Sequence, residues 1–167
     1  MRRIMSMILC LAALLTLAGC ETRKVDLEGV PTFYYLRGEI TYGSQNSVID
    51  SEQLLTAGGS SDLDYLLALY FAGPTDDRLR SPYPIGTEVL NFERSGTDFL
   101  LTMNSAFAKL EGIALTKACA CLAITVFGIV DVESVTIQAE DDRGDVTQTI
   151  QLNRDSLVLQ DDAPLVP

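Results

Sequence analysis

Ser61-Asp62-Leu63-Asp64-Tyr65-Leu66-Leu67-Ala68-Leu69-Tyr70-Phe71-Ala72-Gly73-Pro74 contains the start, the stripe and the stop of a helix. Ser61 to Asp64 has the form of a capping box, in which a hydroxyl and a carboxylate three residues apart satisfy unpaired backbone donors. Leu63, Leu66, Leu67 and Tyr70 then fall at i, i+3, i+4 and i+7, which places them on one face of a helix. Gly73 accepts a conformation closed to other residues, and Pro74 cannot continue the hydrogen bonding.

Strand signals flank this helix. Pro31 to Leu36 is aromatic and suits a first strand. Glu39 to Tyr42 offers a short additional one, and Val48 to Leu55 reads as a second. Ala57-Gly58-Gly59-Ser60 is a turn. Beyond the helix, Thr75 to Ser81 reads as a charged loop and Pro82 to Gly86 as a stiff turn. Thr87 to Phe92 and Asp98 to Met103 are strands joined through Arg94-Ser95-Gly96-Thr97 as a hairpin. Gly112 to Val130 is too long for a strand and apolar nearly all round, so it predicts a central buried helix. Ser134 to Gln138 is a strand, Glu140 to Asp145 a turn, and Val146 to Ile150 a last strand. The predicted order is β-(β)-α-β-β-α-β-(β), an α+β fold with a small mixed sheet and two helices on one face.

Four segments resemble the sporulation and spore germination domain called GerMN. Leu66 to Pro74 is similar to that family's helix closing on Leu-x-x-Gly-Pro. Ser81-Pro82-Tyr83-Pro84-Ile85-Gly86-Thr87 resembles its Ser-Pro-x-Pro-x-Gly-Thr turn, the most specific of the four. Phe99 to Asn104 with Phe107 resembles its strand ending in Asn or Asp with a following aromatic. Asp131 to Ile137 matches its Gly-Val-x-x-Val-x-Ile pattern, with Asp131 in place of the Gly. Ala139-Glu140-Asp141 replaces the family's usual Asp-Gly. The resemblance implies a fold similar to ring-building modules, an envelope setting in Gram-positive bacteria, and no catalytic residues.

The N-terminus specifies export. Arg2 and Arg3 precede an apolar run from Ile4 to Leu17, the charge and length profile of a signal peptide. The run falls short of the roughly 20 residues of a spanning helix. Leu17-Ala18-Gly19-Cys20 resembles a lipobox. It predicts cleavage between Gly19 and Cys20 and attachment of the Cys20 thiol to diacylglycerol, whose acyl chains include fatty acids such as palmitate. The expected organisation is a signal peptide over 1–19, a lipidated tether over 20–30, a GerMN-like domain over 31–152 and a tail over 153–167.

Once Arg2 and Arg3 are removed, the 12 basic residues become 10, facing 23 acidic ones, a formal charge of −13. Such a surface repels nucleic acid, which is bound by neutralising its phosphates. It also repels anionic lipid, so the expected hold on the membrane is the acyl anchor. The chain has no His, which removes the commonest general base and zinc ligand.

The remaining reactive groups read as structural. Cys119 and Cys121, two apart on a helix, point to different sides and cannot pinch a metal, so they are expected to pack in the core. Glu140 to Asp145 lacks the spacing and the bidentate Glu of a calcium loop, and the Arg143-Gly144-Asp145 within it reads as part of a solvated turn. Asp76-Asp77 reads as a loop face. No cofactor, metal or catalytic residue is nominated.

The sequence therefore predicts a non-enzymatic lipoprotein on the outer face of the cell membrane. Its domain is expected to dock on envelope or sporulation proteins or to self-associate, through an edge strand or a helix face. The alternative is a module binding a small solute or cell-wall fragment, with Phe33, Tyr34, Tyr35, Tyr42 and Tyr83 around an exposed cleft. Alternation puts Tyr34 and Tyr35 on opposite faces of their strand.

Overall fold

The computed structural model describes residues 30–38, 48–54 and 62–157. Cys20 and its cleavage site, the expected strand at Glu39 to Tyr42, the turn at Ala57 to Ser60 and Tyr42 itself lie outside these residues. The elements run β1 (Thr32–Arg37), β2 (Ile49–Gln53), α1 (Leu63–Ala72), β3 (Leu79–Arg80), β4 (Val89–Ser95), β5 (Asp98–Met103), α2 (Ser105–Ala108), α3 (Gly112–Ile129), β6 (Ser134–Glu140) and β7 (Val146–Asn153). A 3₁₀ turn follows at Arg154–Ser156.

The strands divide between two sheets rather than forming one. Four make a mixed sheet in the order β4-β5-β6-β7, with β5 and β6 parallel and the outer pairs antiparallel. The parallel pair requires a crossover, and α2 and α3 supply it. Period-two alternation turns Phe99, Leu101 and Met103 of β5, with Val135, Ile137 and Ala139 of β6, onto the buried face. Thr102, Thr136 and Gln138 remain half-exposed on the other face, with Thr149 and Gln151 beside them exposed. Among the described residues, the helices pack on the buried face.

The second sheet has three strands in the order β2-β1-β3. β3 lies within the expected charged loop and pairs only with Leu36 and Arg37 of β1. Where β3 ends, α3 takes over as the neighbour of β1: the Tyr34 amide donates to Thr125 Oγ1 at 3.0 Å. A buried strand edge is thereby paired with a helix side chain, as the cost of burying an unpaired amide requires.

By length and composition α3 is apolar enough to cross a membrane. In this fold its middle and C-terminal turns, from Ala118 to Ile129, are packed in the core. Its first turn projects beyond the core, and Ile113 is 75% exposed.

At the start of α1 the N-cap is Asp62, whose side chain accepts from the Asp64 amide. The expected box was centred on Ser61, outside the described residues, and Asp62 is one residue closer to the helix. Leu63, Leu66, Leu67 and Tyr70 are buried as the stripe predicts. Gly73 ends the helix at φ 98°, a conformation that disfavours any side chain.

Candidate functional site

The aromatic residues turn inward. Tyr35 and Phe33 are buried against Tyr70, with ring centroids 5.1 and 5.4 Å away. Tyr83 of the Pro-x-Gly-Thr turn sends its hydroxyl to the Ala118 carbonyl at 3.1 Å and to the Tyr70 hydroxyl at 2.7 Å. Tyr70 also reaches the Tyr34 carbonyl at 3.0 Å, and Tyr35 donates to the Tyr70 carbonyl at 2.9 Å. Burial raises the pKa of Tyr35, Tyr70 and Tyr83 well above the ordinary phenol value. These hydrogen bonds tie β1, α1, the turn and α3 together. Tyr34 is half-buried on the opposite side of β1 from Tyr35. Among the described residues, the aromatics expected around a cleft form no exposed patch.

Cys119 and Cys121 are both buried. Desolvation raises their thiols to about 11 and about 12, which suppresses the nucleophilic thiolate. Cys121 lies beside the Tyr70–Tyr83 pair. In the turn between β6 and β7, Asp141 Oδ1 accepts from the amides of Arg143 and Asp145. That carboxylate serves its own turn. Asp76 binds the Arg78 guanidinium, with its shortest contact at 2.6 Å, and those hydrogen bonds lower its pKa to about 2. Among the described residues, no three His, Cys, Asp or Glu side chains gather as a metal site would need.

Sequence reasoning did not single out a groove of about 590 Å³ between α1 and β4. One wall is a side of α1, with Leu67, Ala68 and Phe71. The other is β4, the terminal strand of its sheet, from Val89 to Phe92. Local sequence positions both walls. Gly86 turns at φ 84°, and Thr87 Oγ1 donates to the Pro84 carbonyl at 2.9 Å, closing the turn. Asn104 then ties the end of β5 to that turn by donating from Nδ2 to the Gly86 carbonyl at 2.7 Å.

The register of β4 against β5 shifts between Val89 and Asn91. This bulge re-aims a side chain, as bulges do, and leaves Leu90 53% exposed. Among the described residues, the charged groups lining the groove are the carboxylates of Asp64 and Glu88. A roomier cleft of about 860 Å³ at the other end of the sheet is lined by Asp98, Asp131, Glu133 and Arg154, with only Val132 as a large apolar side chain. The groove is the site with apolar walls.

No protein-family model matches the sequence, and no curated protein matches it. Two solved structures resemble the fold. The tandem GerMN domains of the sporulation protein GerM from Bacillus subtilis share 17% identity at a TM-score of 0.49, covering 78% of this chain and 49% of that one. A candidate lipoprotein from Clostridium perfringens shares 16% identity at a TM-score of 0.40, covering 76% and 89%. This chain spans about half the length of the tandem-domain structure, and both likenesses concern the fold alone.

Proposed function

We propose that this protein is an envelope lipoprotein whose single GerMN-like domain docks non-catalytically on other proteins in sporulation or germination. The anchor rests on the sequence: Arg2 and Arg3, the short apolar run and Leu17-Ala18-Gly19-Cys20. The family context rests on the four segments that resemble GerMN. Docking is carried by one observation: an opening with apolar residues on both walls runs along a terminal β-strand beside a helix. The buried tyrosines and thiols support a scaffolding rather than a chemical use, because packing and internal hydrogen bonds occupy them.

The solute-binding alternative has less support. It called for aromatics around an exposed cleft, and Phe33, Tyr35 and the Tyr83 hydroxyl are part of the interior.

Fractionation and crosslinking of the full-length protein in its own cells test the proposal. Membrane association that disappears with Cys20→Ala, together with protein crosslinks in growing or sporulating cells, is the expected result. Membrane retention of Cys20→Ala in the absence of any binding partner overturns the anchor. Saturable glycan binding with no protein crosslink in either state overturns the docking role.

A further inference from the structure

We infer that β7 pairs antiparallel with β7 of a second copy of this chain, across a two-fold axis at Gln151, so that two four-stranded sheets become one. The inference is independent of docking on other proteins.

Among the described residues, β2, β3, β4 and β7 are the strands that end a sheet. Edge strands are guarded against pairing by charged side chains, proline or bulges. β2 carries Asp50 and Glu52, β3 carries Arg80, and β4 carries Glu93 and Arg94. β7 is the longest of them, yet Val146-Thr147-Gln148-Thr149-Ile150-Gln151-Leu152-Asn153 contains neither a charge nor a proline. Its register shift is confined to the Val146 end. Gln148 to Asn153 keep an unbroken register with Ser134 to Ala139.

One hydrogen bond fixes which main-chain groups face outward. The Arg154 amide donates to the Glu133 carbonyl at 2.9 Å. In an antiparallel ladder such bonded pairs recur at every second residue. Leu152, Ile150 and Gln148 therefore bond to β6, while Thr149, Gln151 and Asn153 aim their amides and carbonyls away from it. Among the described residues no strand meets these groups. The Asn153 carbonyl also accepts from the Ser156 hydroxyl at 2.8 Å.

Symmetry and charge select a second copy as the occupant. A two-fold axis at Gln151 sets Thr149 opposite Asn153 of the copy and Ile150 opposite its Leu152, and repeats both pairs in reverse. Ile150 and Leu152 pack against the core but stay half-buried, because the sheet ends beside them. The same two residues of the copy complete that apolar row, at the close positions of the ladder that exchange no hydrogen bond. An expected mature charge of −13 makes two copies repel each other, and a neutral seam brings no like charges face to face.

Single cysteines in the full-length lipidated protein, under mild oxidation in the native envelope, test this. Cys119 and Cys121 are buried, so the introduced thiol is the reactive one. Gln151→Cys should give a disulfide-linked homodimer, because directly opposed residues have Cα atoms about 5.5 Å apart, within disulfide reach. Thr149→Cys should give about fivefold less or lower still, because its two thiols are offset by about 14 Å along the ladder. In detergent, the dimer of the parent protein followed by sedimentation should grow with added salt, which screens the repulsion between copies. It should fall about fivefold or more with Gln151→Asp, which opposes two carboxylates. Thermal unfolding of Gln151→Asp equal to the parent separates this loss from misfolding.

No disulfide dimer from either cysteine, or a yield from Thr149→Cys that matches Gln151→Cys, overturns the two-fold pairing. A dimer that weakens with salt or ignores Gln151→Asp overturns it too. A photo-crosslinking residue at Gln151 that captures another protein, a glycan or its own chain assigns the edge to that occupant and removes the second copy. None of these results decides the docking role, which keeps its own test.

Discussion

The hydroxyl oxygens of Tyr70 and Tyr83 lie 2.7 Å apart inside the domain, although the residues come from a helix and from a proline-rich turn. Each also faces a carbonyl, Tyr34 at 3.0 Å and Ala118 at 3.1 Å. Two hydroxyl protons cannot fill three contacts at once. Two arrangements keep the contact between the hydroxyls filled. In one, Tyr83 donates to Tyr70 and Tyr70 to Tyr34. In the other, Tyr70 donates to Tyr83 and Tyr83 to Ala118.

Removing either hydroxyl breaks this chain and strands a buried partner. Tyr83→Phe and Tyr70→Phe should each destabilise the domain by about 1–3 kcal/mol. The double variant should cost less than the sum, because both changes cut the same network. Urea unfolding of the four proteins measures the coupling.

The thiols respond to pH in a defined direction. Burial raises Cys119 and Cys121 from the ordinary 9.0 to about 11 and about 12. The folded state thus holds these protons more tightly than the unfolded chain. That contribution to stability is complete below pH 9 and is lost as pH rises toward 11–12. The raised tyrosines act in the same sense. The urea midpoint should fall steadily above pH 9, and a thiol reagent at pH 8 should label neither cysteine until denaturant is added.

Asp76 works in the opposite direction. Hydrogen bonds from Arg78 hold it at about 2, against an ordinary 3.8. Its stabilising contribution is present above 3.8 and is lost as pH falls through 2. Arg78→Ala should raise the Asp76 titration, followed by carboxyl NMR, part of the way to the ordinary range, because the amide of residue 78 still donates to Asp76. The Arg78 side chain is largely exposed, so the change should be visible in the titration and scarcely in thermal unfolding.

Arg154, just after β7, binds the end of α3. Its Nε donates to the Val132 carbonyl at 3.0 Å and its Nη2 to the Phe127 carbonyl at 3.1 Å, while the guanidinium lies 5.1 Å from the Phe127 ring centroid. A cation over terminal helix carbonyls satisfies acceptors that the helix leaves open. Arg154→Ala should cost about 1–2 kcal/mol. Lysine should recover little, because it lacks the planar fork. Thermal unfolding of the two variants checks this.

Much of this fold can be read locally. The stripe from Leu63 to Tyr70, the stop at Gly73-Pro74, the alternation of Phe99-Leu101-Met103 and the length of Gly112–Ile129 each announce their element. Pairings between distant segments are less accessible. β3 is two residues long and exists because Leu36 and Arg37 need a neighbour. The short helix α2 has its end fixed by Gln148, which donates from forty residues away to the Ala108 carbonyl and also to Leu110. Neither leaves a periodic signal.

The groove was hidden for a similar reason. Its two walls come from Leu67–Phe71 and Val89–Phe92, and the bulge that exposes Leu90 is a property of strand register rather than of composition. The cysteines and the Glu140–Asp145 run, by contrast, draw notice from their chemistry, and the fold commits them to packing and to a turn.

The placement of β1 also bears on how the domain resists tension. A pull transmitted through the residues before Val30 enters at Thr32, the first residue of the strand that holds Phe33 and Tyr35 in the core. That strand is held laterally by β2 along its length and by the Tyr34–Thr125 bond, which spans 91 residues of chain. Force along β1 must shear several hydrogen bonds together rather than peel them singly. A domain tethered at this end has its mechanical clamp next to the leash.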